Sequence, residues 1–123
     1  ADGDWTEIVV LGGGLRMNTL AMVDNDTVAQ VEQLVVDTLF ISCDGLSPDR
    51  GLSTPYRDEA ALKKAMIGAA RRVVVLADHT KFGQEHLARF AAWNDVDLVI
   101  TDSEADPTML AAIESHGPPI ALA

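Results

Sequence analysis

Five short apolar runs, rich in β-branched residues, punctuate the chain: Ile8–Leu11, Thr38–Ile41, Val73–Leu76, Leu98–Thr101 and Ile120–Leu122. Fully apolar runs are the signature of strands covered on both faces, as in parallel sheets. Between them lie stretches with helical spacing. In Asp58–Arg71, residues Leu62, Ala65, Met66, Ala69 and Ala70 recur at the helical period, with Asp58 and Glu59 in the first turn and Arg71-Arg72 at the end, which suits the helix dipole. Pro55 fits the first turn of this helix, with Thr54 as its cap. Further helices are predicted over Thr27–Val35, Glu85–Trp93 and Thr108–His116. The last is bracketed by Asp106-Pro107 before it and Gly117-Pro118-Pro119 after it. Gly12-Gly13-Gly14 and Ser47–Gly51 read as loops. Strands alternating with helices predict an α/β fold with a mostly parallel sheet of about five strands.

Size and charge narrow the function classes. At 123 residues the chain is one domain or part of one. Charges interrupt every apolar run, so no segment is long enough to span a bilayer. Ala1-Asp2-Gly3-Asp4 has neither the basic region nor the apolar core of a signal peptide. The single cysteine, Cys43, excludes an internal disulfide and fits a reducing, cytoplasmic setting. Nine Lys and Arg against 19 Asp and Glu leave a formal charge of -10. That surface repels phosphodiester backbones. An anionic small ligand must therefore be held by a few local cations and backbone amides.

In parallel sheets ligands sit beyond the carboxyl ends of the strands. The first run is followed by Gly12-Gly13-Gly14-Leu15-Arg16, the second by Ser42-Cys43-Asp44-Gly45, the third by Ala77-Asp78-His79-Thr80-Lys81-Phe82-Gly83, and the fourth by Asp102. A polar cluster along one sheet edge follows. His79, His86 and His116 do not have metal-site spacing, and no second cysteine accompanies them, so neither a metal nor another cofactor is expected. Gly12-x-Gly14 lacks the third glycine of a dinucleotide fingerprint, Met17 standing in its place. Cys43 reads as a small buried residue, and Trp5 and Trp93 as packing residues.

The segments Leu11-Gly-Gly-Gly-Leu-Arg16, Phe40-Ile-Ser-Cys-Asp-Gly45, Gly51-Leu-Ser-Thr-Pro55, Glu59-Ala-Ala-Leu-Lys63, Ala65-Met66, Ala77-Asp-His-Thr-Lys-Phe-Gly83 and Val99-Ile-Thr-Asp102 together resemble the C-terminal effector-sensing domain of the DeoR family of bacterial transcriptional repressors. The resemblance implies a fold similar to ribose-5-phosphate isomerase. It also implies a phosphorylated sugar or related metabolite as effector, a homo-oligomer, and DNA contact only through a separate N-terminal winged helix-turn-helix. Neither that helix-turn-helix nor the family's Asp-x-Gly-Thr-Thr phosphate loop is read in this chain. Residues 1–123 are therefore expected to be roughly the second half of the sensor, a truncated piece of the domain.

By that resemblance the ligand-binding candidates are Gly12, Gly13, Asp44, Gly45, Glu59, Lys63, Asp78 and Lys81. Lys81 leads, because lysine meets phosphate as a point charge with three donors; the plain alternative is a solvated loop lysine. Asp44 and Asp78 are candidates for sugar hydroxyls, against ordinary turn or cap chemistry. Glu59 and Lys63 either face the pocket or form a surface i,i+4 ion pair. The glycines are candidates for a loop that lets a ligand approach exposed amides, while Arg16 is left between an anion contact and a surface arginine.

Two other functions compete. A sugar-phosphate isomerase would use Asp44 and Lys81, but its catalytic glutamate position corresponds to Lys63, which is no carboxylate base. A receiver-type phospho-acceptor fits the length and acidity, but lacks paired acids after the first strand and the late Lys-Pro signature. The expectation is a binding protein and no enzyme.

Overall fold

In the computed structural model, which describes residues 8–11 and 25–123, all five apolar runs become strands of one sheet. The elements in chain order are β1 (Ile8–Leu11), α1 (Asn25–Glu32), β2 (Val36–Ile41), β3 (Gly45–Ser47), β4 (Gly51–Thr54), α2 (Arg57–Ala69) and β5 (Ala70–Leu76). A 3-10 turn (His79–Lys81), β6 (Ala88–Ala91), a second 3-10 turn (Trp93–Asp95), β7 (Leu98–Thr101), α3 (Pro107–Glu114) and β8 (Ile120–Leu122) follow. The sheet order is β1-β2-β5-β7-β8, and every neighbouring pair is parallel. β5 lies in the middle, and there Val73, Val74 and Val75 are all buried, as an unbroken apolar run demands. On the flanking strands only alternate residues are fully buried. Leu39, Ile41 and Val99 join Val73 and Val75, the helix residue Ile113, and Leu46, Leu52, Phe90 and Trp93 in one core.

The expected helix over Glu85–Trp93 is replaced by strand β6 and the second 3-10 turn. Glu, Leu, Ala and Arg favour a helix there, but the hairpin β3-β4 offers an open strand edge. β6 pairs antiparallel with β4 along it, with a register shift at Leu52/Ser53. Pairing buries Phe90 and Ala91 and leaves Leu87 exposed, so tertiary context overrides local propensity. The result is a second, three-stranded sheet, β3-β4-β6, which strand counting from apolar runs misses. The predicted Ser47–Gly51 loop shrinks to the turn of this hairpin, with Ser47 and Gly51 as the last and first residues of its strands.

Helix α2 also differs in detail. Its N-cap is Tyr56, which makes no side-chain cap bond, and Arg57 is its first residue. Thr54 is thus not the cap, and Pro55 precedes the helix. The helix runs directly into β5, so Arg71 and Arg72 are exposed strand residues and not a helix end. Its fully buried positions are Glu59, Ala60, Leu62 and Lys63, an unexpectedly charged face, while Ala61, Ala65 and Ala69 turn toward α1. Helix α3 begins one residue before the expected Thr108, with Pro107 in its first turn and Asp106 Oδ1 accepting the Thr108 amide at 3.0 Å, and it ends at Glu114 short of the expected His116.

Gly45 shows why one position excludes a side chain: a Cβ there would lie 2.4 Å from the Gln84 carbonyl oxygen. Gly45→Ala should destabilise the fold by roughly 1–3 kcal/mol through this overpacking. Gly68, in α2, has open space around it. Gly68→Ala should stabilise by about 0.5–1 kcal/mol through helix propensity and reduced chain entropy. Urea unfolding of both variants checks the opposite signs.

Candidate functional site

The carboxyl ends of β2, β5 and β7 lie side by side, because these three strands are neighbours. Two connected clefts open there. The smaller, about 170 Å³, is lined by Ser42, Cys43, Asp44, Ala77, Asp78 and Lys81 among others. The larger, about 430 Å³, is lined by Asp44, Tyr56, Thr80, Lys81, Gln84 and His86 with Pro55. Asp44 and Lys81 belong to both walls. A groove of about 530 Å³ between α1 and α2 is roomier, but none of the predicted site residues lines it; its walls are Val28, Ala61, Ala65, Gly68 and Ala69 with Glu32 and Lys64. It offers little convergent chemistry.

Lys81 closes the first 3-10 turn, which Asp78 caps. Asp78 Oδ1 accepts the Thr80 amide at 2.8 Å and the Thr80 hydroxyl, and these bonds hold its carboxyl below the usual range. The turn is fastened on two further sides. Asp102, at the end of β7, accepts the His79 backbone N–H at 2.9 Å, and the His79 ring Nδ1 lies 3.0 Å from the same Oδ2. The Gly83 amide donates to the Leu46 carbonyl at 2.7 Å. The Lys81 ammonium meets no carboxylate within ion-pair distance among the described residues.

Beneath the clefts lies a buried polar chain. Lys63 is 2% exposed; its ammonium pairs with Glu59 Oε1 at 3.2 Å, donates to the Ser42 carbonyl at 2.6 Å and sits 5.2 Å above the Phe90 ring. The other Glu59 oxygen faces the Thr54 hydroxyl at 3.2 Å, and the same hydroxyl lies 2.9 Å from Asp44 Oδ2. Cys43 is buried, and desolvation pushes its thiol up to about 12, so it is no nucleophile at neutral pH.

The predicted residues thus separate into groups. Asp44, Asp78 and Lys81 line the smaller cleft together. Glu59 and Lys63 form the i,i+4 ion pair, but it is buried under the clefts and not on the surface, and neither residue lines a cleft. Gly45 is buried against Gln84 and lines neither cleft. Gly12 and Gly13, with Arg16 and Trp5, lie outside the described residues. Trp93 packs in the core with its indole N–H donating to the Ser47 carbonyl at 2.9 Å. Sequence reasoning missed Thr54 and His86 as parts of the site. Thr54 stands in the Gly51–Pro55 motif but reads as a cap, and His86 falls in the segment misread as helix. The histidine spacing also hides that His79, Asp102 and Glu104 bring three possible ligand atoms within 4.8 Å of one another. This group is largely exposed, and Asp102 is already engaged by the backbone amides of His79 and Glu104.

Residues 1–103 match the family described as the DeoR C-terminal sensor domain. The chain belongs to that family. It is 37% identical over 111 residues to the HTH-type transcriptional regulator GlpR of Haloferax volcanii, which covers 90% of this chain and 44% of the relative. It is 34% identical over 95 residues to the uncharacterized HTH-type transcriptional regulator FruR of Bacillus subtilis, covering 77% of this chain and 38% of that protein. With the HTH-type transcriptional repressor GlcR of the same organism it shares 27% identity over 117 residues, 95% of this chain and 45% of the relative. The chain therefore spans less than half the length of these relatives. No helix among the described residues is long and apolar enough to cross a membrane.

The His79–Asp102 contact sets a pH window. The hydrogen bond to Asp102 raises the His79 imidazolium above its ordinary value of 6.5, and the same bond lowers Asp102 below 3.8. The imidazolium's contribution to stability is full below 6.5 and fades as pH rises through the raised folded value. That of Asp102 is full above 3.8 and fades as pH falls through its lowered one. The loop is held best between these limits. An NMR titration should place the His79 midpoint above 6.5, and Asp102→Asn should return it toward the ordinary value.

Proposed function

We propose that this chain is the effector-binding part of a transcriptional repressor, taking a phosphorylated sugar or related metabolite in the clefts at the ends of β2 and β5. The observation that carries the reading is the shared wall. Lys81 and Asp44 border both cavities, and the Lys81 cation has no carboxylate partner among the described residues in a chain of net charge -10. A lone lysine beside a carboxylate acceptor suits a ligand with an anionic end and hydroxyl donors. Lys81 would take the phosphate and Asp44 the hydroxyls. Asp78, whose Oδ1 is already used in the cap, would add a second acceptor through its other oxygen. Glu59 and Lys63 would act through the floor. Gly12 and Gly13 would complete the pocket as a close-approach loop, with Gly45 shaping the strand behind it.

In this reading the fold is of the ribose-5-phosphate isomerase type and the domain is the second part of the sensor. A helix-turn-helix elsewhere in the complete protein contacts DNA, and the assembly is a homo-oligomer. Effector binding shifts the protein between states of different operator affinity, which requires a difference in ligand affinity between those states. The site recognises its ligand without converting it. Lys63 stands where the isomerase resemblance implies a catalytic glutamate, and its ammonium is bound to Glu59 and the Ser42 carbonyl. That position therefore offers an ammonium where a proton shuttle between sugar carbons needs a carboxylate, and the neighbouring Glu59 is buried in the ion pair with it.

The test uses the intact repressor. Lys81→Ala should keep operator affinity in a gel-shift assay and lose release by phosphorylated sugars, with effector affinity falling at least about tenfold, as loss of a charge-assisted contact requires. Release at wild-type effector concentrations would reject the assignment. Turnover of ribose 5-phosphate that Asp44→Asn abolishes would instead make the protein an enzyme.

A further inference from the structure

Thr54 is fully buried at the end of β4, yet its hydroxyl sits between two carboxylates, 2.9 Å from Asp44 Oδ2 and 3.2 Å from Glu59 Oε2. The Tyr56 amide donates to the same oxygen at 3.4 Å. A hydroxyl carries one proton, so Thr54 donates fully to one carboxylate at a time. The shorter contact favours Asp44, while Glu59 keeps the Lys63 ammonium on its other oxygen. For Asp44, Thr54 is the side-chain donor among the described residues.

The chain Asp44–Thr54–Glu59–Lys63 ends on the Ser42 carbonyl, two residues before Asp44 itself. It therefore grips both ends of the Ser42–Asp44 turn. Resting on the ligand reading above, we propose that Thr54 is the positioning residue that aims the Asp44 carboxylate and makes it selective for a ligand that donates hydroxyl protons. Held at Oδ2, Asp44 presents Oδ1 as an acceptor. A ligand hydroxyl donates to Oδ1 while Thr54 keeps its hydrogen bond to Oδ2, so the carboxylate stays aimed when it is occupied. An acceptor-only group at this position, such as a phosphate oxygen, meets a carboxylate and is repelled. The anion is thereby directed to Lys81.

The experiment measures two affinities by calorimetry on the intact repressor. One is for the sugar phosphate among glucose 6-phosphate, fructose 6-phosphate and glycerol 3-phosphate that gives the largest thermal shift; the other is for inorganic phosphate. Thr54→Val keeps the shape and removes the proton. It should weaken the sugar phosphate about tenfold and leave inorganic phosphate unchanged. Thr54→Ser should restore the difference, which a merely structural threonine would not do. If Thr54→Val does not fold, Thr54→Cys, with its weak S–H donor, reads the same difference against Thr54→Ser. Equal weakening of both ligands, or weakening of neither, overturns the role of Thr54. If the wild-type protein binds none of the sugar phosphates, the ligand reading itself falls and this inference falls with it.

Discussion

The architecture depends on a buried ammonium. Lys63 sits on the inner face of α2, where an apolar residue would ordinarily pack, and its charge is satisfied by Glu59, the Ser42 carbonyl and the face of Phe90. Burying a charge is costly unless it is paired and hydrogen-bonded. Here the partners come from three elements: the helix itself, the end of β2, and the second sheet through β6. In the observed arrangement the helix, the parallel sheet and the antiparallel sheet converge on this one group. Removing one partner would leave a buried charge uncompensated, so the pair ties the packing of α2 to the strand end that leads to Asp44.

Most of the parallel sheet was legible because its signal is local and redundant. The runs containing Val73, Val74 and Val75, or Leu98 and Val99, are apolar whichever face they present. The second sheet was illegible for the opposite reason. Its strands are three or four residues long, and β6 is written in good helix formers. It exists because β4 presents an unpaired edge nearby, a fact that no window of sequence contains. The site shows the same division. Asp44, Asp78 and Lys81 follow strand ends, so topology alone gathers them. Glu59 and Lys63 have the spacing of a surface ion pair, and only the packing of α2 turns them inward. Thr54 and Pro55 looked like a helix start because Thr and Pro serve that purpose often. The hydroxyl is instead recruited sideways, by carboxylates ten and five residues away.

Charge gives the cleft its character. Acidic side chains outnumber basic ones about two to one, and the cations nearest the site have different fates. Lys63 is consumed by the interior. Lys81 borders open space with no acid paired to it among the described residues. An acidic surface weakens long-range attraction for anions, so an anionic ligand of the proposed kind would be selected by contacts made at close quarters.

The loop from Asp78 to Gly83 is lashed on three sides: to itself through the Asp78 cap, to β7 through Asp102, and to β3 through the Leu46 carbonyl. Such a segment is ill suited to act as a flap. Its moorings make it part of the scaffold, so a ligand seated beside Lys81 as proposed above would spend little of its affinity on ordering this loop.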